Sequence, residues 1–148
     1  MILWRISNHA DLRGIGGLKA AGRWHSRGRP VVYLAESQPG ALLEVLVHIE
    51  VTRVEDLPTH YTLLKVVGDA PITDCPALPD NWVENSAVTR RVGDEWLATG
   101  ETCLLRVPSA IIPGVWNLLL NPLHAEAGGF RIEEAMRVPF DRRLFGGV

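Results

Sequence analysis

At 148 residues, with 47% hydrophobic side chains and a formal net charge of −2, the chain has one domain's worth of length and enough apolar surface for a single sizeable core. This balance excludes bulk electrostatic attraction to nucleic acid, and no segment has the low hydrophobicity and high charge of a disordered tail. Arginine supplies all but Lys19 and Lys65 of the 15 basic residues, which suits bidentate contact with a phosphorylated small molecule better than binding to DNA.

The opening Met1-Ile2-Leu3-Trp4-Arg5 lacks a basic segment followed by a long apolar run, so no secretory signal is expected. Gly14-Ile15-Gly16-Gly17 and the Arg-rich stretch Ala21-Gly22-Arg23-Trp24-His25-Ser26-Arg27-Gly28-Arg29-Pro30 follow. Glycines let a backbone approach a ligand and arginines bind phosphate, but no Walker or dinucleotide fingerprint is present, and a solvated loop is the plainer reading. Residues 31–35, a β-branched and apolar run, read as a buried strand. Ser37 can cap a helix with Pro39 in its first turn, and Leu42, Val45, Leu46 and Ile49 follow at helical spacing, which predicts a helix over 39–49. Residues 61–67 and 72–75 read as strands, and 85–99 as a second helix with Val88, Val92 and Trp96 on one face. Gly93 weakens that helix by roughly 1 kcal/mol relative to Ala. Residues 103–107, 115–120, 130–133 and 136–140 are short apolar or alternating runs separated by Pro, Gly or Asn turns, so the expected class is a mixed α+β domain spanning 1–148. Apolar runs are too short to span a membrane.

Three places can carry chemistry. Beyond the Gly/Arg loop, Glu44 sits among apolar residues and shares a helix face with His48, as a solvated stripe or as the lining of a cleft. Pro108-Ser109 follows a strand, with Asn117, Asn121, Pro122 and His124 downstream, all residue types common in turns. A Ser109–His124–Asp141 triad is a weak alternative, since no G-x-S-x-G elbow accompanies it. Cys75 and Cys103 form no C-x-x-C pair and read as reduced structural thiols. The five histidines show no H-x-x-x-H or H-E-x-x-H spacing, so no metal site is expected.

Gly22-Arg23-Trp24, then 31–35, Leu43-Glu44, Val107-Pro108-Ser109, Asn121-Pro122 and Asp141-Arg142-Arg143-Leu144 together resemble the RES domain, in that family's order and over nearly the whole chain. The resemblance implies a compact single domain with a fold similar to the diphtheria-toxin-like ADP-ribosyltransferases. It implies the cytoplasmic toxin half of a toxin-antitoxin pair, with NAD as substrate, an Xre-type helix-turn-helix antitoxin as partner and dimerisation as a family expectation. The activity it implies is NAD depletion by hydrolysis or phosphorolysis of the nicotinamide–ribose bond. Protein ADP-ribosylation and a catalytically silent binding module are the alternatives. Carried over by position, Glu44, Arg23 and Ser109 are the catalytic candidates. Arg5, Arg23, Tyr33 and Ser109 are the candidates for holding NAD.

Overall fold

The computed structural model describes residues 1–49 and 53–146. In chain order the elements are β1 (Ile2–Ile6), α1 (Ile15–Lys19), β2 (Val32–Ala35), α2 (Gln38–Leu46), β3 (His60–Val67), β4 (Ile72–Asp74), α3 (Ser86–Thr99), β5 (Leu104–Pro108), β6 (Trp116–Leu120) and β7 (Arg131–Pro139). The strands form one seven-stranded sheet in the order β4-β5-β6-β2-β1-β3-β7. β4 and β5 pair in parallel and the other neighbours are antiparallel. The class is α+β, as the element pattern predicts.

Side-chain alternation divides the core between two faces of this sheet. Leu3, Val32, Leu34, Val66, Leu104, Leu118 and Leu120 cluster with Phe130 on one. Leu105, Val107 and Leu119 cluster with Trp24, Val31 and Trp96 on the other, where Val92 and Leu97 of α3 also pack. Directly paired residues share a face, and the register sets Tyr33 against Leu119 and both Ala35 and Val107 against Asn117. Tyr33 and Asn117 therefore project to the α3 side of the sheet.

Several elements follow the expected local chemistry. Ser37 caps α2, its Oγ accepting from the Gly40 N–H at 3.1 Å, and Pro39 occupies the first turn. The helix ends at Leu46, short of the expected residue 49, because the next amides tighten into bonds three residues back, His48 N to Val45 O and Ile49 N to Leu46 O. The buried stripe of α3 is Thr89, Gly93 and Trp96, one position round from the predicted Val88–Val92–Trp96 face. Gly93 explains the rotation: a Cβ there would overlap the Trp24 carbonyl oxygen, so the residue that weakens the helix is the one that lets it sit against the 20–29 loop.

Three expectations are corrected. Residues 130–133 and 136–140 are one strand, β7, because its pairing to β3 steps from Lys65↔Glu134 to Val66↔Ile132. The bulge absorbs Glu133, whose carboxylate lies 2.9 Å from Lys65 Nζ. The Gly14–Gly17 segment is not a solvated loop: Gly14 and Gly17 are buried and residues Ile15–Lys19 wind into α1. Residues Ile2–Ile6, where the sequence predicts no element, form β1, which lies between β2 and β3 inside the sheet. Among the described residues no helix is long and apolar enough to cross a membrane.

Candidate active site

Glu44 leaves α2 toward the sheet, half-buried, and meets two groups brought by β5 and β6. Asn117 Nδ2 donates to Glu44 Oε1 at 2.8 Å, and Ser109 Oγ donates to the same oxygen at 3.3 Å. Both bonds fall on Oε1, and among the described residues none falls on Oε2. One carboxylate oxygen is thus anchored by two donors and the other by none of the described residues. Ser109 is itself buried and accepts from the Ile111 and Ile112 amides at 3.1 and 3.3 Å. With its one proton given to Glu44 and its lone pairs occupied, the hydroxyl is an orienting group and not a nucleophile.

Tyr33 lies on the same face. Its Oη accepts from the Trp24 N–H at 3.1 Å and lies 2.7 Å from His25 Nδ1, while His25 Nε2 lies 2.9 Å from the Ala20 carbonyl. A carbonyl only accepts, so Nε2 carries the proton and Nδ1 accepts from the phenol, which fixes the tautomer of this buried imidazole. Burial pushes the phenol of Tyr33 up to about 12, opposed by the Trp24 amide and by the Arg90 and Arg23 charges. A Cβ on Gly22 would collide with both the Tyr33 hydroxyl and the His25 ring, so the glycine of Gly22-Arg23-Trp24 is what lets the pair form.

Arg23 is carried by a loop that is tied to α3. Thr89 Oγ1 donates to the Arg23 carbonyl at 2.6 Å and Arg90 Nε to the Gly22 carbonyl at 2.8 Å. The Ser26 amide donates to Asp94 at 2.9 Å. The Arg23 guanidinium donates through Nη1 to the Val83 carbonyl at 2.8 Å and lies 6.0 Å from the Trp82 ring centroid. One of its five N–H donors is thereby used.

The structure thus joins Glu44 to Ser109 directly and sets Tyr33 on the same sheet face as Asn117, with Arg23 next in the chain to Trp24, whose amide bonds the Tyr33 hydroxyl. It does not bring Arg5 to that group. Arg5 alternates with Trp4, which pairs with Ala35 on the Tyr33 face, so it projects from the opposite face, where Nη1 donates to the Asp11 carbonyl at 2.9 Å. Burial lowers its pKa and the Asp11 charge opposes that shift. The Ser109–His124–Asp141 triad does not assemble: His124 faces Glu126, and Asp141 pairs with Arg143. His48 is exposed and bonds back to the Glu44 carbonyl at 2.7 Å. Two participants were not assigned roles from sequence. Asn117 is the polar residue inside the otherwise apolar run 115–120, a signal that alternation could have exposed, whereas His25 carries no periodic signal at all. Among the described residues no cluster of three His, Cys, Asp or Glu side chains is placed to hold a metal ion.

The sequence model of the RES domain matches residues 2–141. The chain belongs to the RES-domain family. It is 48% identical over 147 residues to "Toxin Res" of Pseudomonas putida, covering 98% of this chain and all of that one. It is 33% identical over 155 residues to the "Prs ADP-ribosylating toxin" of a Sphingobium species, covering 95% and 94% of the two chains. Among solved structures it matches a chain of the MbcT-MbcA toxin-antitoxin complex of M. tuberculosis with a TM-score of 0.74 at 18% identity, covering 93% of this chain and 84% of that one. That likeness is one of fold.

Proposed function

We propose that this protein is the toxin of a toxin-antitoxin pair and that it consumes NAD by breaking the bond between nicotinamide and ribose. The observation that carries the reading is the Glu44 carboxylate, held through Oε1 by Ser109 and Asn117, with no bond to Oε2 among the described residues. In this cleavage the C1′–N bond breaks, its electron pair passes to the ring nitrogen and cancels that atom's positive charge, and C1′ acquires oxocarbenium character. A fixed carboxylate stabilises that developing charge, binds the ribose hydroxyls, or takes the proton from the attacking oxygen, as in glycoside hydrolysis. Water as attacker gives ADP-ribose, and inorganic phosphate gives ADP-ribose phosphate.

In this reading Ser109 and Asn117 position Glu44. Arg23 binds the diphosphate with the fork donors that Val83 leaves over. Tyr33, immobilised by Trp24 and His25, offers its ring to the nicotinamide or ribose. Arg5 has no part in it. The partner is an Xre-type antitoxin that covers the site, and the setting is the cytoplasm.

Incubating the purified protein with NAD, with and without phosphate, and resolving the products by mass tests the proposal. Free nicotinamide with ADP-ribose is the result for hydrolysis, and phosphate-dependent ADP-ribose phosphate is the result for phosphorolysis. Intact NAD under both conditions overturns it. Protein ADP-ribosylation is the second reading, favoured by the name of the Sphingobium relative, and transfer of label from NAD to an acceptor protein identifies it.

A further inference from the structure

Away from Glu44, a polar cavity of about 330 Å³ has Asn8, Thr59, His60, Thr62 and Arg137 in its walls. Thr62 alternates in phase with Leu64 and Val66 along β3, so it shares the face of the Leu3–Val66 cluster, and Arg137 pairs directly with it from β7. Tyr33 and Asn117 project to the other side. Backbone bonds fix the walls. The Ser7 amide donates to the Thr62 carbonyl at 3.2 Å, which seats Asn8 beside β3, and the Phe140 amide donates to the Thr59 carbonyl at 3.0 Å. Charged side chains are common on an edge strand, where they discourage pairing with another chain. Arg131 and Glu133 are of that kind, 3.8 Å apart, with Lys65 2.9 Å from Glu133. Arg137 differs from them. Asp141, the next carboxylate along the chain, is taken by Arg143 at 2.6 Å, and Glu134 pairs in register with Lys65 on the other face. Among the described residues Arg137 has no ion pair and no side-chain hydrogen bond.

We propose that this cavity binds a phosphate group, at a site separate from Glu44 and independent of the NAD reading. Its lining includes a guanidinium, an imidazole, two threonine hydroxyls and a side-chain amide, and among the described residues no carboxylate. Arg137 keeps all five of its N–H donors. The Thr62 hydroxyl and the Asn8 amide are likewise unspent among the described residues, and His60 turns Nδ1 to Thr59 Oγ1 at 3.0 Å, which leaves Nε2 over. These groups come from three segments of chain, the end of β1, β3 and β7. Donors that converge from several directions suit a tetrahedral oxyanion, whereas a planar carboxylate is satisfied by the guanidinium fork alone. Arg5 lies on the same face, paired with Leu64 two residues along β3 from Thr62, and adds positive charge to that side of the sheet. The cavity's volume is roughly ten times a water molecule's share of the liquid, which leaves room for a small alcohol esterified to the phosphate.

Titrating the intact, isotope-labelled protein with glycerol phosphate, inorganic phosphate and acetate at matched ionic strength, and reading amide NMR shifts, tests the site. Phosphate is expected to move the amides of Asn8, His60, Thr62 and Arg137. Arg137→Ala is expected to weaken that binding roughly 10- to 100-fold. Arg137 is exposed on the edge strand, so its loss leaves folding intact. Arg137→Lys keeps the charge without the fork and should recover part of the affinity, while Thr62→Val should weaken it roughly 3- to 10-fold. Tighter binding of glycerol phosphate assigns a phosphorylated small molecule as the occupant, and equal binding assigns free phosphate. Acetate is expected to bind more weakly than either. Absence of phosphate binding, shifts confined to the Arg23 loop and the β5–β6 side, acetate binding as tight as phosphate, or equal phosphate affinity in wild type and Arg137→Ala overturns the proposal.

Discussion

Above pH 10 the tyrosines of an unfolded chain lose their protons, while Tyr33 in the fold holds its proton up to about 12 because burial disfavours the phenolate. A folded-state pKa raised above the unfolded value of 10.0 contributes stability that is complete below pH 10 and lost as the pH rises through 12. Two pH units at 1.36 kcal/mol each set the loss at about 3 kcal/mol. Tyr33→Phe removes this dependence. At pH 8 the variant is expected to be less stable than wild type by about 1–3 kcal/mol, since the Trp24 amide and His25 Nδ1 lose their partner. Between pH 10 and 12 that gap closes by about 3 kcal/mol. Urea unfolding at pH 8, 10, 11 and 12 reads the gap. Cys75 and Cys103, both pushed up to about 11 chiefly by burial, are common to the two proteins and cancel in the difference. A Tyr61→Phe background leaves Tyr33 as the remaining tyrosine, and its absorbance transition near 295 nm is expected near pH 12. A gap constant with pH, or a transition near pH 10, refutes the reasoning.

The other substitutions separate positioning from charge. Glu44→Gln keeps an oxygen for Asn117 and Ser109, so urea stability should stay within about 1 kcal/mol of wild type while nicotinamide release falls by roughly 100-fold or more; near-normal release from the folded variant removes Glu44 from catalysis. Asn117→Ala leaves the carboxylate in place with one fewer anchor, and steady-state kinetics should show a lower kcat with little change in the NAD Michaelis constant. Arg23→Lys keeps the charge and loses the fork, so that constant should rise, and an unchanged value argues against diphosphate binding there. Gly93→Ala forces α3 off the Trp24 carbonyl, at an expected cost of about 1–3 kcal/mol in urea unfolding, although alanine is the better helix former.

Much of the architecture was legible because local chemistry and tertiary need agree. Ser37 and Pro39 start α2 where a cap and a first-turn proline should, and the apolar run at 32–35 pairs inside the sheet. Reading failed where a contact from far along the chain decides. Glu133-Glu134 interrupts an apolar pattern and looks like a break, yet a bulge opposite Lys65 carries the strand through it. β1 lacks turn punctuation before it and alternates only partly, with Arg5 following Trp4, so its central place depends on β2 and β3. Gly93 looks like a weakness in α3 until Trp24 is set against it. Within the site, the pairing of Glu44 with Ser109 spans 65 positions, which no window of sequence contains. The ordered family motifs named both residues, but Asn117 and His25 needed the register and the loop.

The contacts around Tyr33 have a direction. Donation runs from the Trp24 amide to the phenol oxygen, from the phenol to His25 Nδ1, and from His25 Nε2 to the Ala20 carbonyl, so the three dipoles are aligned and each bond polarises the next. The line starts and ends on one short stretch of backbone, 20–25, and crosses to β2 through a single side chain. That stretch therefore opens as a unit: freeing the Trp24 amide to exchange with solvent requires the tyrosine to withdraw, which also strands the imidazole. In such a closed relay every proton already has an owner, which makes the assembly a brace under the Arg23 loop and unsuited to passing protons to a substrate.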